Sequence, residues 1–388
     1  MFETSESTPS SNVVWDITRY VIVAAMTGGL IWLYCFYTPT VYVSREHAGK
    51  TMGTDYIVKV SHFPEQDDWK KIADDIQDRL DALDEMMSTY RHDSEVCRFN
   101  ASTTEDWFPV SEETAFVVQT SLEIARQSEG ALDITVAPLV RHWGFGAEGN
   151  VRQAGSFEEL KSAAILLKEQ TGYDKLSVRL DPPALKKTIP ELEIDLSAIA
   201  KGFAVDCVAE LLEEQKITDY LIEVGGEVRS KGKKSKQKNS WWSTLMDGFF
   251  NGNKPQQKEK DWIVAIEKPV LELPNQFAGN QQTLVLGDKS LATSGNYLQT
   301  IQMGDQRVSH IIDPRTGLPA QIGNGVRELA SVAVIAPNCT LADAWATAMF
   351  VLGEQKGIEL ANQHGMSVLF LLRNGNEIVE VPSKHWQQ

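Results

Sequence analysis

The sequence predicts an α+β fold, a layered mixed sheet with flanking helices, preceded by one N-terminal transmembrane helix. Three observations lead to this prediction: an uncharged apolar run near the N terminus, amphipathic stretches of helical period, and short alternating strands without a regular β-α-β order. The 388 residues, 42% of them hydrophobic, suffice for a globular core. The net charge of −16 argues against a nucleic-acid partner, because phosphate binding needs clustered positive charge.

The apolar run follows an N-terminal tail, residues 1–19. Residues 20–42 carry no charge, and a helix of about 20 such residues crosses the apolar core of a bilayer. We expect an uncleaved anchor rather than a signal peptide, because the bulky Trp32 and Tyr34 stand where a signal peptidase needs small residues. Basic residues flank the run on both sides, so charge does not decide its orientation.

Residues 48–388 are predicted to form one domain of helices and short strands. Apolar residues at three- and four-residue spacing predict helices at 67–87, 111–130 and 200–216, and a further helix that begins at a Thr340 cap. Alternating apolar residues predict strands at 56–60, 220–224, 262–267, 283–286, 332–336, 368–372 and 377–381. Asn374-Gly375 predicts a hairpin between the last two strands.

A lysine-rich insertion at about 231–260 interrupts the domain between the strand that ends at Val224 and the strand that begins at Trp262. Lysines stand at both of its ends, and its centre is aromatic and apolar. Two interpretations are open. The insertion is either a solvated loop whose aromatic side chains fold back on the domain, or an interfacial element for an anionic membrane surface.

Two motifs in the C-terminal part carry most of the chemistry. His310 stands at the end of an apolar run, just before the Pro/Gly turn that begins at Pro314, where its imidazole can face a cleft. Asp343 and Thr347 stand four residues apart on the predicted helix, so a carboxylate and a hydroxyl share one face and can hold one hard cation. We expect this carboxylate to be exposed.

Glycine-rich and small-residue segments add candidate ligand contacts. Glu223-Val224-Gly225-Gly226-Glu227 ends a strand with two glycines, which allow either close approach to a ligand or a bulge. The segment 195–206 passes through small residues into a helix, where it forms either a tight packing turn or a pyrophosphate site at the positive helix end. The remaining motifs are Met52-Gly53-Thr54, residues 88–95 with Arg98-Phe99-Asn100, and residues 131–140.

Taken in chain order, these motifs resemble those of the ApbE family of flavin transferases, from Met52 to about Gly353. The resemblance implies an enzyme that depends on Mg²⁺ and transfers FMN from its substrate FAD to a threonine hydroxyl of an acceptor protein, forming a phosphoester and releasing AMP. It implies a set of flavin contacts: Met52, Tyr90, Asp133, Lys201 and Ile312. It also implies that the Ala198 carbonyl, Asp343 and Thr347 are the magnesium ligands and that His310 is the base on the acceptor side.

The implied roles agree with the chemistry of these residues. Cleavage of a phosphoanhydride needs charge neutralisation on the pyrophosphate, which Mg²⁺ held by Asp343 supplies. A histidine, with an ordinary pKa of about 6.5, can take the proton of a threonine hydroxyl at neutral pH. The chain departs from some family members at Ala346, where they have a second aspartate.

The predicted anchor makes the chain a single-pass inner-membrane protein, and this span, like the lysine-rich insertion, departs from the family. The resemblance implies that the catalytic domain lies in the periplasm and serves a subunit of a membrane redox complex. Two other functions stay open. One is an FAD pyrophosphatase, in which water attacks the same phosphorus and FMN and AMP are released. The other is a flavin-binding module without turnover, although the presence of His310 beside metal ligands argues against pure binding.

Overall fold

The computed structural model describes residues 15, 19–28, 42–146, 156–234, 260–269, 279–296, 300–303, 306–320, 327–375 and 377–386. The strands are β1 (Tyr42–Thr51), β2 (Thr54–Pro64), β3 (Phe108–Pro109), β4 (Leu176–Leu180), β5 (Pro183–Lys187), β6 (Tyr220–Val224), β7 (Glu227–Lys231), β8 (Ile263–Glu267), β9 (Asn280–Val285), β10 (Ser290–Gly295), β11 (Thr300–Met303), β12 (Gln306–Ser309), β13 (Ile312–Asp313), β14 (Leu318–Pro319), β15 (Arg327–Ala336), β16 (Ser367–Asn374) and β17 (Glu377–Pro382). The α-helices are α1 (Trp69–Met87), α2 (Glu95–Ala101), α3 (Glu112–Gln127), α4 (Ala137–His142), α5 (Phe157–Leu167), α6 (Ala200–Glu214) and α7 (Cys339–Gln363), the last kinked at Gly353.

An eight-stranded sheet forms the centre, in the order β1-β2-β6-β7-β10-β15-β16-β17. Neighbouring strands of this sheet pair antiparallel in the described part of the chain. Because side chains alternate along a strand, each strand contributes side chains to the packing layers on both faces of the sheet. In β15, Val332 and Val334 pack into the main core with α6 and α7, whereas Ala333 and Ile335 pack under the β8–β9 hairpin on the opposite face. The predicted α+β class is confirmed.

A smaller apolar cluster lies beside α4 and α5. It contains Leu139, Trp143, Leu160, Ala164, Val308 and Ile312. The Trp143 indole Nε1 donates a hydrogen bond to the Gly317 carbonyl oxygen, 2.9 Å away. This bond fastens the turn between β13 and β14 to α4.

Several predicted elements are found close to their expected bounds. Helix α1 begins behind the Asp68 cap, and α3 begins behind Ser111, each with its cap side chain accepting a backbone N–H. The predicted cap of α7 is wrong. The helix begins at Cys339 and its cap is Asn338, because the Thr340 side chain donates to Asp206 instead.

The N-terminal part is described only in pieces. Residues 19–28 are helical, residues 29–41 of the predicted anchor lie outside the described residues, and Tyr42, its last predicted residue, begins β1. Among the residues that the structure describes, no helix is both long enough and apolar enough to cross a membrane. Residues 235–259 of the lysine-rich insertion also lie outside the described residues.

Two tight turns meet at one end of the main sheet. β1 and β2 are joined at Met52-Gly53, and β6 and β7 are joined at Gly225-Gly226. Because Tyr56 of β2 pairs with Val224 of β6, both turns lie at the same end. We call it the turn end. It positions the candidate site.

Candidate active site

A lysine lies between two buried carboxylates beside the turn end. Lys201, in the first turn of α6, forms an ion pair with Glu227, and its Nζ lies 3.7 Å from Asp343 Oδ1. The side chains of Glu227 and Asp343 are only 3% and 4% exposed. The expectation of an exposed Asp343 is therefore wrong: the carboxylate is held inside the fold, where water screens its charge poorly.

Burial shapes the ionisation of this cluster. It raises the pKa of Glu227 to about 7, although the Lys201 ammonium acts in the opposite direction. Burial also raises the pKa of Asp343 against the same ammonium. Desolvation alone would lower the pKa of Lys201, but the charges of Asp343 and Glu227 outweigh it and raise that pKa. The lysine stays charged, and the site favours additional positive charge.

Asp343 is fixed by a backbone donor from α6. The Gly202 amide donates a hydrogen bond to Asp343 Oδ2, 2.9 Å away. A Cβ atom at Gly202 would lie 2.3 Å from the Cys339 carbonyl oxygen and 2.7 Å from Asp343 Cβ. Only glycine lets the two helices approach this closely.

The predicted magnesium ligands have suitable chemistry. Thr347 lies one helical turn beyond Asp343, and its Oγ1 is 3.0 Å from Ser294 Oγ of β10. Ala198, partly buried, lies in the turn that leads into α6, four residues before Gly202. Carboxylate, hydroxyl and carbonyl oxygens are the donors that Mg²⁺ prefers, so these residues fit the ion.

Asp343 would be the principal protein charge on such an ion. In the described part of the chain, no group of three or more His, Cys, Asp or Glu side chains could hold a metal. Ala346, which stands where some family members have a second aspartate, is fully buried in the main core. The remaining ligands of a cation would therefore be hydroxyl, carbonyl, substrate or water oxygens.

The two turns at the turn end adjoin Lys201. Gly225 has a φ of +58°, and a Cβ atom there would lie 2.8 Å from Thr54 Cγ2 and 3.3 Å from Lys201 Cδ. Met52, with a φ of +47°, is partly buried against the main core. A cavity of about 420 Å³ opens here, lined by residues 50–55 with Asp81 and Asp84. The glycine pair forms a tight turn packed against Thr54 and Lys201, and its close approach to a ligand stays a prediction.

Asp133 has its carboxylate satisfied by protein donors. One oxygen accepts from the Thr135 amide at 2.8 Å and the Thr135 hydroxyl at 2.7 Å, and the other accepts from the Tyr173 amide at 2.8 Å. Burial raises the pKa of Asp133 despite these bonds. The Asp133 carboxylate is therefore paired with donors of the protein itself.

Tyr90 lies near the loop that leads into α6. Its side chain is 66% exposed, and its pKa is raised by partial burial and by the nearby charge of Asp195. The Asp195 amide in turn donates to the Ile134 carbonyl oxygen, 2.7 Å away. The loop before α6 thus links the neighbourhood of Tyr90 with that of Asp133.

His310 and Ile312 belong to a second group. The His310 ring packs edge-on to Phe145, with ring centroids 6.2 Å apart, and the Ile312 side chain is buried in the smaller apolar cluster. Arg315 forms an ion pair with Asp313 and donates to the Val351 carbonyl oxygen of α7, 3.4 Å away. These contacts tie the segment that carries His310 to the helix that carries Asp343.

The sequence motifs do not single out two acids, Glu227 of the site and Asp206 beside it. The motifs contain Glu227 only within a glycine-containing strand end and Asp206 only within the segment 195–206. Their spacing gives no local signal, because their partners lie 26 and about 133 residues away in sequence. The Gly225-Gly226 turn, which turns the chain back towards Lys201, is the one clue to Glu227.

Comparison with known proteins agrees with the geometry. A family model described as the ApbE family matches residues 52–370. The FAD:protein FMN transferase of Vibrio cholerae serotype O1 is 37% identical over 340 residues, 88% of this chain and 91% of that protein. The FAD:protein FMN transferase of Escherichia coli (strain K12) is 34% identical over 363 residues, 91% of this chain and 93% of that protein.

Solved structures show the same fold. The flavin transferase ApbE from Vibrio cholerae superposes with a TM-score of 0.72 at 34% identity, covering 89% of this chain and 99% of that one. The flavinyl transferase ApbE of Pseudomonas stutzeri, in its apo form, superposes with a TM-score of 0.71 at 30% identity, covering 90% and 97%. The family resemblance inferred from the sequence motifs is confirmed, and the chain belongs to the ApbE family.

Proposed function

We propose that this chain is a Mg²⁺-dependent FAD:protein FMN transferase that attaches FMN to a threonine hydroxyl of an acceptor protein and releases AMP. The observation that carries the proposal is the buried cluster of Lys201, Glu227 and Asp343, with Thr347 one turn away. A buried cluster with room for one more positive charge suits the pyrophosphate of FAD. The names of the curated relatives support the same activity.

The residues divide the work between the phosphates and the acceptor. Asp343, Thr347 and the Ala198 carbonyl would hold Mg²⁺, which neutralises phosphate charge when bound. Lys201 adds a fixed positive charge at the same place. His310 accepts the proton of the threonine hydroxyl as its oxygen attacks the FMN phosphorus; the phosphoanhydride bond breaks and AMP leaves.

The other predicted contacts would bind the flavin end of the substrate. Met52 and Tyr90 offer a thioether and an aromatic face that suit a flat ring. The side chains of Asp133 and Ile312 are already engaged within the protein, so they would act by shaping the site or through their backbone.

The cellular setting stays part of the proposal. Residues 20–42 would anchor the chain in the inner membrane with residues 48–388 in the periplasm, and the helical segment 19–28 is compatible with such an anchor. The acceptor would be a subunit of a membrane redox complex, and no nucleic acid takes part.

One incubation series separates the candidate functions. The enzyme is incubated with FAD and Mg²⁺, with and without a threonine-containing acceptor peptide, and peptide-bound FMN, free FMN and AMP are measured. We expect FMN on the peptide and equimolar AMP, with neither in excess EDTA. A peptide with valine in place of threonine serves as the control. Free FMN without an acceptor would indicate a pyrophosphatase, and FAD left intact would indicate a binding module.

A further inference from the structure

The carboxylate of Asp206 binds the start of a different helix. Asp206 is on α6 and only 7% exposed. Its Oδ1 accepts hydrogen bonds from the Cys339 amide at 3.0 Å and from Arg229 Nη1 at 2.6 Å. Its Oδ2 accepts from the Thr340 amide at 2.8 Å and the Thr340 hydroxyl at 2.6 Å. Each carboxylate oxygen accepts two hydrogen bonds, and every donor belongs to an element other than α6.

These bonds replace part of the normal cap of α7. The first amides of a helix have no partner within it, and they carry partial positive charge. The side chain of Asn338, the residue before the helix, accepts from the Leu341 amide, at 2.9 Å. The amides of Cys339 and Thr340 therefore depend on a carboxylate from α6. The start of α7 is bound to α6 in addition to its own preceding loop.

A second contact between the helices lies about one turn nearer the start of α6 and one turn further along α7. There the Gly202 amide of α6 donates to the Asp343 carboxylate of α7. Asp206 follows Gly202 by four residues, and Asp343 follows Cys339 by four, which is about 6 Å along each axis. Two bonds this far apart fix both the rotation and the sliding of α7 against α6.

The strand that carries Glu227 is tied to the same point. Arg229 is two residues further along β7, and its guanidinium binds Asp206 from the sheet side. The three elements that supply Lys201, Glu227 and Asp343 thus converge on one carboxylate. None of the four hydrogen bonds that this carboxylate accepts comes from one of the three charged groups.

We propose that Asp206 is a positioning residue of the active site: it holds α6, α7 and β7 in the register that brings Lys201, Glu227 and Asp343 together. The inference rests on the proposed function, because it assigns the register a purpose in binding the cation at Asp343. Asp206 itself touches neither the cation nor FAD. Residues that orient a metal ligand typically change metal affinity by about 10- to 100-fold when altered.

The test compares Asp206→Asn with the unchanged full-length protein. Asparagine keeps the size of the side chain but turns an NH₂ group towards donors that need an acceptor. We expect the dissociation constant for Mg²⁺, measured by titration calorimetry without FAD, to rise by about 10-fold or more. The dissociation constant for FAD without Mg²⁺, followed by flavin fluorescence, should change by less than about threefold, because the flavin contacts other than Lys201 lie on elements that Asp206 does not bind.

Two further variants keep the test decisive. Thr340→Val removes only the hydroxyl bond to Asp206. It should raise the Mg²⁺ dissociation constant by a smaller factor than Asp206→Asn does, and it provides the test if Asp206→Asn does not fold. Asp68→Ala removes the cap of α1, which accepts from the Lys71 amide at 3.2 Å, and should lower the melting temperature without changing Mg²⁺ affinity.

The outcomes are separable from those of the proposed function. Folded Asp206 and Thr340 variants that lose thermal stability but keep the Mg²⁺ affinity of the unchanged protein would overturn the positioning role and leave a plain structural one. Absence of FMN transfer by the unchanged protein would overturn the proposed function. The calorimetric shift would still support the positioning role, since it is measured without turnover.

Discussion

At the scale of single residues, the main feature of the site is the balance of charge among its buried side chains. With all three groups ionised, Lys201 contributes one positive charge against the two negative charges of Glu227 and Asp343. In the proposed mechanism, the net charge of −1 would attract a divalent cation, and the resulting charge of +1 would then suit a pyrophosphate. Glu227 has a specific task in this balance: it holds the Lys201 ammonium so that the lysine does not have to rely on Asp343 alone.

Glu227→Gln should therefore weaken cation binding. Glutamine keeps the shape of the side chain but removes its charge, so the Lys201 ammonium is left to pair with Asp343 and competes with Mg²⁺ for that carboxylate. We expect the Mg²⁺ dissociation constant to rise by about tenfold, a change of about 1.4 kcal/mol, as measured by titration calorimetry. The matched control is Glu223→Gln. In the unchanged protein, the Glu223 carboxylate accepts from the Gly226 amide, 2.8 Å away, at the exposed side of the same turn. Equal Mg²⁺ affinities in the two variants would show that Glu227 has no part in holding the cation.

Local sequence patterns identified some of these residues and not others. The four-residue spacing of Asp343 and Thr347 follows directly from helical period, and both lie on α7. The pairing of Lys201 with Glu227 depends on how β7 is placed beside α6. Such long-range placement leaves no periodic trace in the sequence.

At the scale of elements, the close approach of α6 and α7 is the defining contact. Helices with strong apolar periodicity, such as α1, were predictable, because their buried face is continuous in sequence. Strand β1 was not, because it is an edge strand whose side chains alternate between exposed and partly buried, without an apolar face. The α6–α7 contact could not be predicted from apolar periodicity either, because it depends on the single glycine at position 202.

Gly202→Ala tests whether this approach serves the site as well as the fold. The added methyl would meet the Cys339 carbonyl oxygen, a backbone atom that moves only if α7 moves. Overpacking of this kind destabilises by about 1–3 kcal/mol. We expect a lower melting temperature and a weaker Mg²⁺ affinity, because Asp343 shifts with its helix.

Gly357→Ala is the matched control for this prediction. It also lies on α7, but its methyl would meet the tip of the Phe370 ring, 2.6 Å away at Cζ, on the side of the sheet core. This variant should lose stability and keep Mg²⁺ affinity. If Gly202→Ala also kept normal Mg²⁺ affinity while losing stability, the contact would matter only for folding.

At the scale of the whole molecule, the two ends of the main sheet carry different features. The turn end carries Met52-Gly53 and Gly225-Gly226 beside the charged cluster. Tyr42 lies at the opposite end of β1, whose 10 residues span about 33 Å at roughly 3.3 Å each. The chain therefore leaves towards the predicted anchor far from the candidate site.

The lysine-rich insertion leaves from that same far end. The Tyr42 ring lies 6.4 Å from the ring of His62, and His62 Nδ1 lies 3.2 Å from Asp219 Oδ2. Asp219 also accepts from the Lys233 amide, at 2.7 Å. The base of the insertion and the exit of the chain towards the predicted anchor are thus neighbours. This placement fits an insertion that meets a membrane surface and does not contribute to the flavin site.

Replacing residues 235–259 with Asn-Gly should leave the enzyme folded and active. Lys234 and Lys260 already pair across two backbone hydrogen bonds, of 2.7 and 3.1 Å, so a two-residue hairpin turn can close the gap. Loop shortening changes closure entropy by only about 0.6 kcal/mol per halving of length. We expect an unchanged melting temperature within a few degrees and unchanged kcat/KM for a soluble threonine peptide, because the insertion begins at the end of the sheet opposite the flavin site.

The same replacement decides between the two interpretations of the insertion. Both forms are prepared without residues 1–41, so that only the folded domain can bind lipid, and are tested by flotation with vesicles rich in anionic phospholipid. If the insertion is interfacial, its lysines contribute about 1 kcal/mol each near the surface, so the form that keeps it should float at low salt and be released at high salt. The shortened form should not float. Equal flotation of both forms would favour the solvated loop. Loss of transfer to the soluble peptide in the shortened form would mean that the insertion reaches the active site, although it leaves from the opposite end of the sheet.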